Sequence, residues 1–139
     1  MFHNETPQFS ALDEGQCRDL LQGTNVARIA WHSADGPQIL PITYACYSDS
    51  LIFRTSPYGP LSDLMRPTDV AFEADELDPE RRSGWSVVVL GRAAAVAEPA
   101  EMVRLWTMDG LVPWAPGIRN VFIQITPRRI TGRRLGRVP

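Results

Sequence analysis

The sequence predicts a small, mainly β protein: about six antiparallel strands closed into a barrel, with about three short helices. Short apolar runs rich in Val, Ile, Phe, Trp and Tyr recur along the chain, as half-buried strands require. The turn signals Ser33-Ala34-Asp35-Gly36 and Ser48-Asp49-Ser50 join neighbouring runs, so those runs pair antiparallel. The 139 residues suit a single domain, 1–139, that buries roughly two-thirds of its unfolded surface without staples. Six antiparallel strands of this length close into a small barrel.

Residues 1–9 read as a polar arm. Ser10 is the expected N-cap of a first helix that runs to about Gln22, with Asp13 in its first turn and Gly23 ending it. Val26 to Trp31 reads as a strand. The next strand runs from about Gln38 to Tyr47, and Pro41, which lacks an N–H, argues for a sheet edge or a bulge. Leu51 to Phe53 is a buried strand run. Pro60 to Met65 is a short helix, opened by its proline and closed by Arg66-Pro67. Val70 to Ala74 is a further strand, and the charge-dense segment Asp75 to Ser83 reads as a solvated loop. Trp85 to Val96 is a long strand whose continuous apolar start suggests burial on both faces. Pro99 to Met108 is a helix with Met102, Leu105 and Trp106 as its apolar stripe. Val121 to Thr126 is the last clear strand, Ile130 begins a short terminal one, and 128–139 reads as an Arg-rich tail.

Composition removes several function classes. The net charge is −2, so no overall basic field draws nucleic acid. All 14 basic residues are arginine, which excludes Schiff-base chemistry and lysine anchoring of a phosphate. Arg128, Arg129, Arg133, Arg134 and Arg137 crowd the C-terminus without the interleaved aromatics that stack single strands. Cys17 and Cys46 form no CxxC pair, and His3 and His32 lie far apart, so no metal site is expected. No apolar run approaches the ~20 residues that span a bilayer. The N-terminus lacks a basic region and an apolar core, so a cytoplasmic protein is expected. No Ser–His–Asp set and no GxGxxG loop is present.

The chemistry-bearing pattern is Leu51-Ile52-Phe53-Arg54-Thr55-Ser56-Pro57-Tyr58-Gly59-Pro60-Leu61, a strand that turns into a short helix. Such a corner leaves backbone N–H groups unpaired beside small hydroxyls, and these bind anions and polar ring edges. Its plainer alternative is an ordinary helix entry with an exposed arginine. Pro41-Ile42-Thr43-Tyr44 lies on the preceding strand. Gly84-Trp85-Ser86-Val87 opens the long strand, and Trp114-Ala115-Pro116-Gly117-Ile118-Arg119 is a Pro/Gly loop around an aromatic. Trp85 and Tyr44 suit a core equally well.

This order of motifs resembles the flavin-binding split β-barrel family, the pyridoxamine 5′-phosphate oxidase-like proteins, over nearly the whole chain. The resemblance implies a six-stranded antiparallel, Greek-key-like split barrel. It further implies a homodimer with a flavin at the interface, each site built from both chains. It implies FMN, with a deazaflavin as alternative, and an oxidoreductase acting on an unknown small molecule, or else a non-catalytic flavin carrier or scaffold. By resemblance the cofactor contacts are Pro41, Ile42, Thr43, Tyr44, Arg54, Thr55, Ser56, Pro60, Leu61, Trp85, Ser86, Trp114, Arg119 and Arg133; no catalytic residue is assigned. The family's phosphate-gripping lysine corresponds to about Pro60. Losing that contact costs about 1.5–3 kcal/mol, roughly ten- to hundredfold in affinity, unless Arg66, Arg119 or a tail arginine replaces it.

Overall fold

The structure is a computed structural model that describes residues 7–108, 111 and 119–137. The sheet has eight strands: β1 (Pro7–Leu12), β2 (Val26–Ser33), β3 (Gly36–Thr43), β4 (Ala45–Tyr47), β5 (Ser50–Thr55), β6 (Thr68–Asp78), β7 (Ser83–Ala95) and β8 (Val121–Arg137). Helices α1 (Glu14–Gln22) and α2 (Pro99–Trp106) and a 3-10 helix at Pro60–Met65 complete it. The strands follow the order β3-β2-β6-β7-β8-β5-β4, with β1 added beside β8, and every pairing is antiparallel.

Local chemistry explains the element ends. Asp13, not Ser10, caps α1. Its carboxylate accepts the Gln16 N–H at 2.8 Å while the Gln16 side chain accepts the Asp13 N–H at 3.0 Å, a reciprocal capping box. Ser10 sits in β1 instead, paired with Arg134. In the β2–β3 turn the Ser33 hydroxyl donates to the Gly36 carbonyl at 2.9 Å and accepts the Asp35 N–H at 3.1 Å. Gly36, at φ 110°, takes the left-handed backbone that favours glycine.

Several expectations are corrected. The run Gln38 to Tyr47 breaks at Tyr44 into β3 and β4, and β1 is an additional strand, which raises six strands to eight. Asp75 to Asp78 remain in β6, because charged side chains are tolerated on its open face: Asp75 pairs with Arg28 at 3.7 Å. Residues 128–137 are ordered strand rather than tail. Ile130 lies opposite Val89 and Gly132 opposite Val87, and the flanking Arg128, Arg129, Arg133 and Arg134 are exposed to solvent. The burial of β7 alternates: Trp85, Val87, Val89, Gly91 and Ala93 are buried, while Leu90 is exposed. Its apolar run therefore serves one covered face and one open face.

The barrel interior is filled by Trp31, Tyr44, Phe53, Phe72 and Trp85 with aliphatic neighbours. α1 closes one side, and Gly132 makes room for it: a Cβ there would stand 2.5 Å from the Cys17 sulfur. Burial raises the Cys17 thiol above its usual range, with Asp13 and Glu14 adding to the effect. A second cluster, Ile52, Leu105, Leu111 and Phe122, seats α2 on the outside of β5 and β8.

Tyr44 is the joint of the barrel. β3 and β4 lie at opposite ends of the strand order, yet only this residue separates them. Its N–H donates to the Asn25 carbonyl at 2.9 Å and its hydroxyl to the Leu21 carbonyl at 2.6 Å, while its ring meets Phe72 edge-on at 4.8 Å. The Leu21 carbonyl lies in the last turn of α1, where carbonyls have no partner within the helix. Tyr44→Phe should therefore cost about 1–2 kcal/mol in denaturant unfolding at neutral pH. Burial also holds the Tyr44 hydroxyl protonated above its ordinary value of 10.0. The unfolded chain releases that proton first, so this contribution is complete below pH about 10 and lost as pH rises beyond it. The Phe variant should lack that part of the alkaline loss of stability.

Candidate functional site

The same joint opens a seam. β3 pairs only with β2, and β4 pairs with β5 only from Ala45↔Ile52 to Tyr47↔Ser50. Carried past Tyr44, that register would set Thr43 opposite Arg54 and Ile42 opposite Thr55, yet among the described residues no ladder joins β3 to β5. Two strand edges thus lie near one another without a ladder between them among the described residues. Pro41, on the exposed side of β3, has no N–H to offer.

The lip of the seam is the β5 corner. Thr55 is 1 % exposed, and its hydroxyl has no hydrogen-bond partner among the described residues. Such a group costs about 1–3 kcal/mol, which a polar ligand atom would recover. Beyond it the Ser56 hydroxyl accepts the Tyr58 N–H at 3.1 Å, and Gly59 turns at φ 97°. Ser62 closes the turn, its N–H and hydroxyl donating to the Gly59 carbonyl at 3.1 and 2.7 Å. Pro60 opens the 3-10 helix and is exposed, and Leu61 packs on the main core. The Trp31 indole N–H pins this helix by donating to the Asp63 carboxylate at 3.1 Å.

Strand alternation sends Arg54 to the opposite side from Thr55. Its Nε–H donates to the Arg119 carbonyl at 2.9 Å, and its guanidinium lies 4.4 Å from the Trp106 ring centroid and 5.6 Å from that of Phe122. Trp106 meets Phe122 edge-to-face at 5.2 Å and is 50 % exposed. The sequence signals Trp106 only as part of a core stripe. What marks it out is the β-period placing Arg54 on the α2 side.

Of the expected contacts, Pro41, Ile42, Thr43, Tyr44, Thr55, Ser56, Pro60 and Leu61 lie on the elements around this seam, while Arg54 sits on the other face of β5 with Arg119 joined to it. Trp85, Ser86 and Arg133 do not lie there. They lie at the far end of the β7–β8 ribbon, where Ser86 pairs with Arg133, whereas β5 pairs with Val121 to Ile125. Eight residues of β8 separate Ile125 from Arg133, about 25 Å at strand rise. Trp85 also turns its ring into the core. Trp114 lies outside the described residues. Among the described residues no cluster of His, Cys, Asp and Glu could hold a metal, and no helix is long and apolar enough to cross a membrane.

Known proteins share this architecture. An uncharacterised protein of Mycobacterium tuberculosis, Rv0080, is 33 % identical over 129 residues, covering 89 % of this chain and 84 % of the relative. The structure of a candidate pyridoxamine 5′-phosphate oxidase from Corynebacterium glutamicum superposes with a TM-score of 0.80 at 28 % identity, covering 93 % of this chain and 99 % of the other. An FAD-binding protein from Mycobacterium smegmatis does so with a TM-score of 0.76 at 29 % identity and the same coverage. The split-barrel fold is thus shared with these proteins. A family model described as pyridoxamine 5′-phosphate oxidase matches residues 13–134, and the chain belongs to that family.

Proposed function

We propose that this protein holds a flavin along the seam between β3 and β5 and works as a flavin-dependent oxidoreductase on a small molecule. The buried Thr55 hydroxyl, without a hydrogen-bond partner among the described residues, carries this reading. It stands beside two strand edges that no ladder joins among the described residues, and the rim of an isoalloxazine ring is a row of donors and acceptors. The FAD-binding relative from Mycobacterium smegmatis supports a flavin. The FMN portion, ring through first phosphate, is what the seam itself would take, and a deazaflavin presents a similar ring edge. A bound flavin supplies hydride transfer at its N5. The chain would bind and orient the ring and exclude water, with Thr55 and the β3 backbone at its edge. Arg66, at the end of the 3-10 helix, makes no ion pair among the described residues and would meet the phosphate in the absence of lysine. The Tyr44 hydroxyl is committed to Leu21, so it serves as no acid or base. That commitment favours, as a second reading, a flavin carrier without turnover.

The reading includes a second copy of the chain. The barrel interior is full, so a flavin must lie on a surface, and a groove between subunits buries a ligand well. The outer face of the sheet carries a cross-strand row, Ile39–Ala30–Ala71–Leu90, in which Ile39 and Leu90 are exposed. Two adjoining grooves of about 380 and 410 Å³ line it. On one side of the row Arg28 pairs with Glu73 and Asp75; on the other Arg92 and Arg128 pair with Asp69. One side is acid-rich and the other base-rich, so a two-fold axis through the row sets each against its complement. Such a partner is also what would bring a distant Ser86 and Arg133 to a seam.

Thr55→Val keeps the side-chain shape and removes the hydroxyl. Flavin titration should show affinity lowered about three- to tenfold, while thermal unfolding of the cofactor-free protein shows stability unchanged or raised. A variant that loses stability and keeps its affinity would place the hydroxyl in a structural role. Leu90→Asp puts a charge on the open face without touching the core. Sedimentation should report a monomer with flavin binding weakened at least tenfold; a dimer of unchanged affinity would remove this face from the site.

A further inference from the structure

We infer that a cavity between α1 and the β4–β5 hairpin binds a small carboxylate, held by Arg18 with its carbon end against the Cys46 thiol. The cavity measures about 100 Å³ and shares no lining residue with the seam. Helix α1 contributes Arg18 and Leu21, the hairpin contributes Cys46, Ser48 and Ser50, and β8 contributes Pro127 and Ile130. A β-bulge lies at this point of β8. Leu90 faces Arg129 while Gly91 faces Pro127, so Arg128 is an extra residue, and an extra residue bends the strand that carries it.

The polar groups of the cavity are donors with capacity to spare. The Arg18 guanidinium is engaged only at long range, by the Asp49 carbonyl at 3.4 Å and the Glu14 carboxylate at 3.7 Å, and a guanidinium carries five N–H groups. The Ser50 hydroxyl accepts from the Gln124 amide at 2.9 Å, which leaves its own proton to give. Cys46 is half-buried within the field of that cation: burial pushes its thiol up, and Arg18 draws it back down. Leu21, Leu51 and Ile130 supply an apolar wall. A carboxylate on a short hydrocarbon matches this set, its two oxygens on the guanidinium fork and its carbons on the wall. About 100 Å³ holds a few waters or a molecule of roughly four to six heavy atoms. A ligand so small, close to the negative charges of Glu14 and the exposed Asp49, binds at about millimolar strength. Occupancy would tie α1 to the hairpin beside the barrel joint, since Leu21 lines the cavity and its carbonyl receives the Tyr44 hydroxyl.

Alkylation of Cys46 by iodoacetate and by iodoacetamide tests the site, because the two reagents differ only in carboxylate against amide. In each the sulfur displaces iodide, an S–C bond forms and the thiol proton goes to solvent. Cys17 is fully buried and stays unlabelled in the folded protein, so mass spectrometry reads Cys46 alone. An ordinary thiolate repels the anionic reagent and reacts faster with the neutral one. The wild type should instead react with iodoacetate at least as fast as with iodoacetamide. Arg18→Met should lower the iodoacetate rate about tenfold and leave the iodoacetamide rate nearly unchanged, while Arg18→Lys keeps most of the wild-type ratio. Sodium acetate at roughly tens of millimolar should slow both reagents in the wild type and neither in the Met variant, against sodium chloride of equal ionic strength. Thermal unfolding checks each variant, and the wild-type ratio and acetate protection stand even where a variant fails to fold. Faster labelling of the wild type by iodoacetamide, an unchanged ratio in Arg18→Met, or no protection by acetate would overturn the site, as would a Cys46 that neither reagent reaches.

Discussion

The fold turns on a single residue that carries the chain from one end of the sheet to the other. Tyr44 separates strands that are terminal neighbours in sequence and opposite extremes in strand order. It ties its own backbone to Asn25 and its hydroxyl to the end of α1, and it packs its ring against Phe72. Among the described residues the ladder is not completed there: β3 pairs with β2 alone, and β4 meets β5 only from Ala45 to Tyr47. The residue that joins the two ends of the strand order thus stands where the pairing stops.

The candidate site inherits its chemistry from that geometry. Period-two alternation divides the β5 corner between two sides. Thr55 goes to the core side, with Leu51 and Phe53, as a buried hydroxyl without a partner among the described residues, and Arg54 goes to α2, where it lies against Trp106 and Phe122. A single stretch of strand therefore offers a neutral hydrogen-bonding edge on one side and a cation with an aromatic partner on the other. The position that the resemblance assigns to the family's lysine holds Pro60, which starts the 3-10 helix, so on the flavin reading a phosphate would draw its positive charge from arginines anchored elsewhere.

Local signals made much of this readable from the residues. The two hairpin turns, the proline-led helix after Gly59 and the position of Gly23 beyond α1 each follow from backbone chemistry that a short segment fixes by itself. Pro41 indicated an edge, and β3 is an edge. What stayed hidden depended on distant partners. Ser10 was a sound N-cap by type, but β8 recruits it into a strand and Asp13 takes the cap. The arginines of 128–137 read as solvated because charge masks the alternation of Ile130 and Gly132 toward the core. The separation of Ser86 and Arg133 from Thr55 follows from β7 and β8 running alongside each other for their full length, a distance that no motif spacing records. Trp106 looked like core, since nothing in a helical stripe shows that Arg54 of the sheet beneath it lies against its ring.

A structure of the protein with FMN or FAD bound tests the central claim most directly. The account predicts the tricyclic ring lying along β3, its polar edge within hydrogen-bonding distance of the Thr55 hydroxyl, between two copies of the chain. A flavin seated elsewhere, or a seam closed by the chain's own side chains with Thr55 satisfied from within, would contradict it.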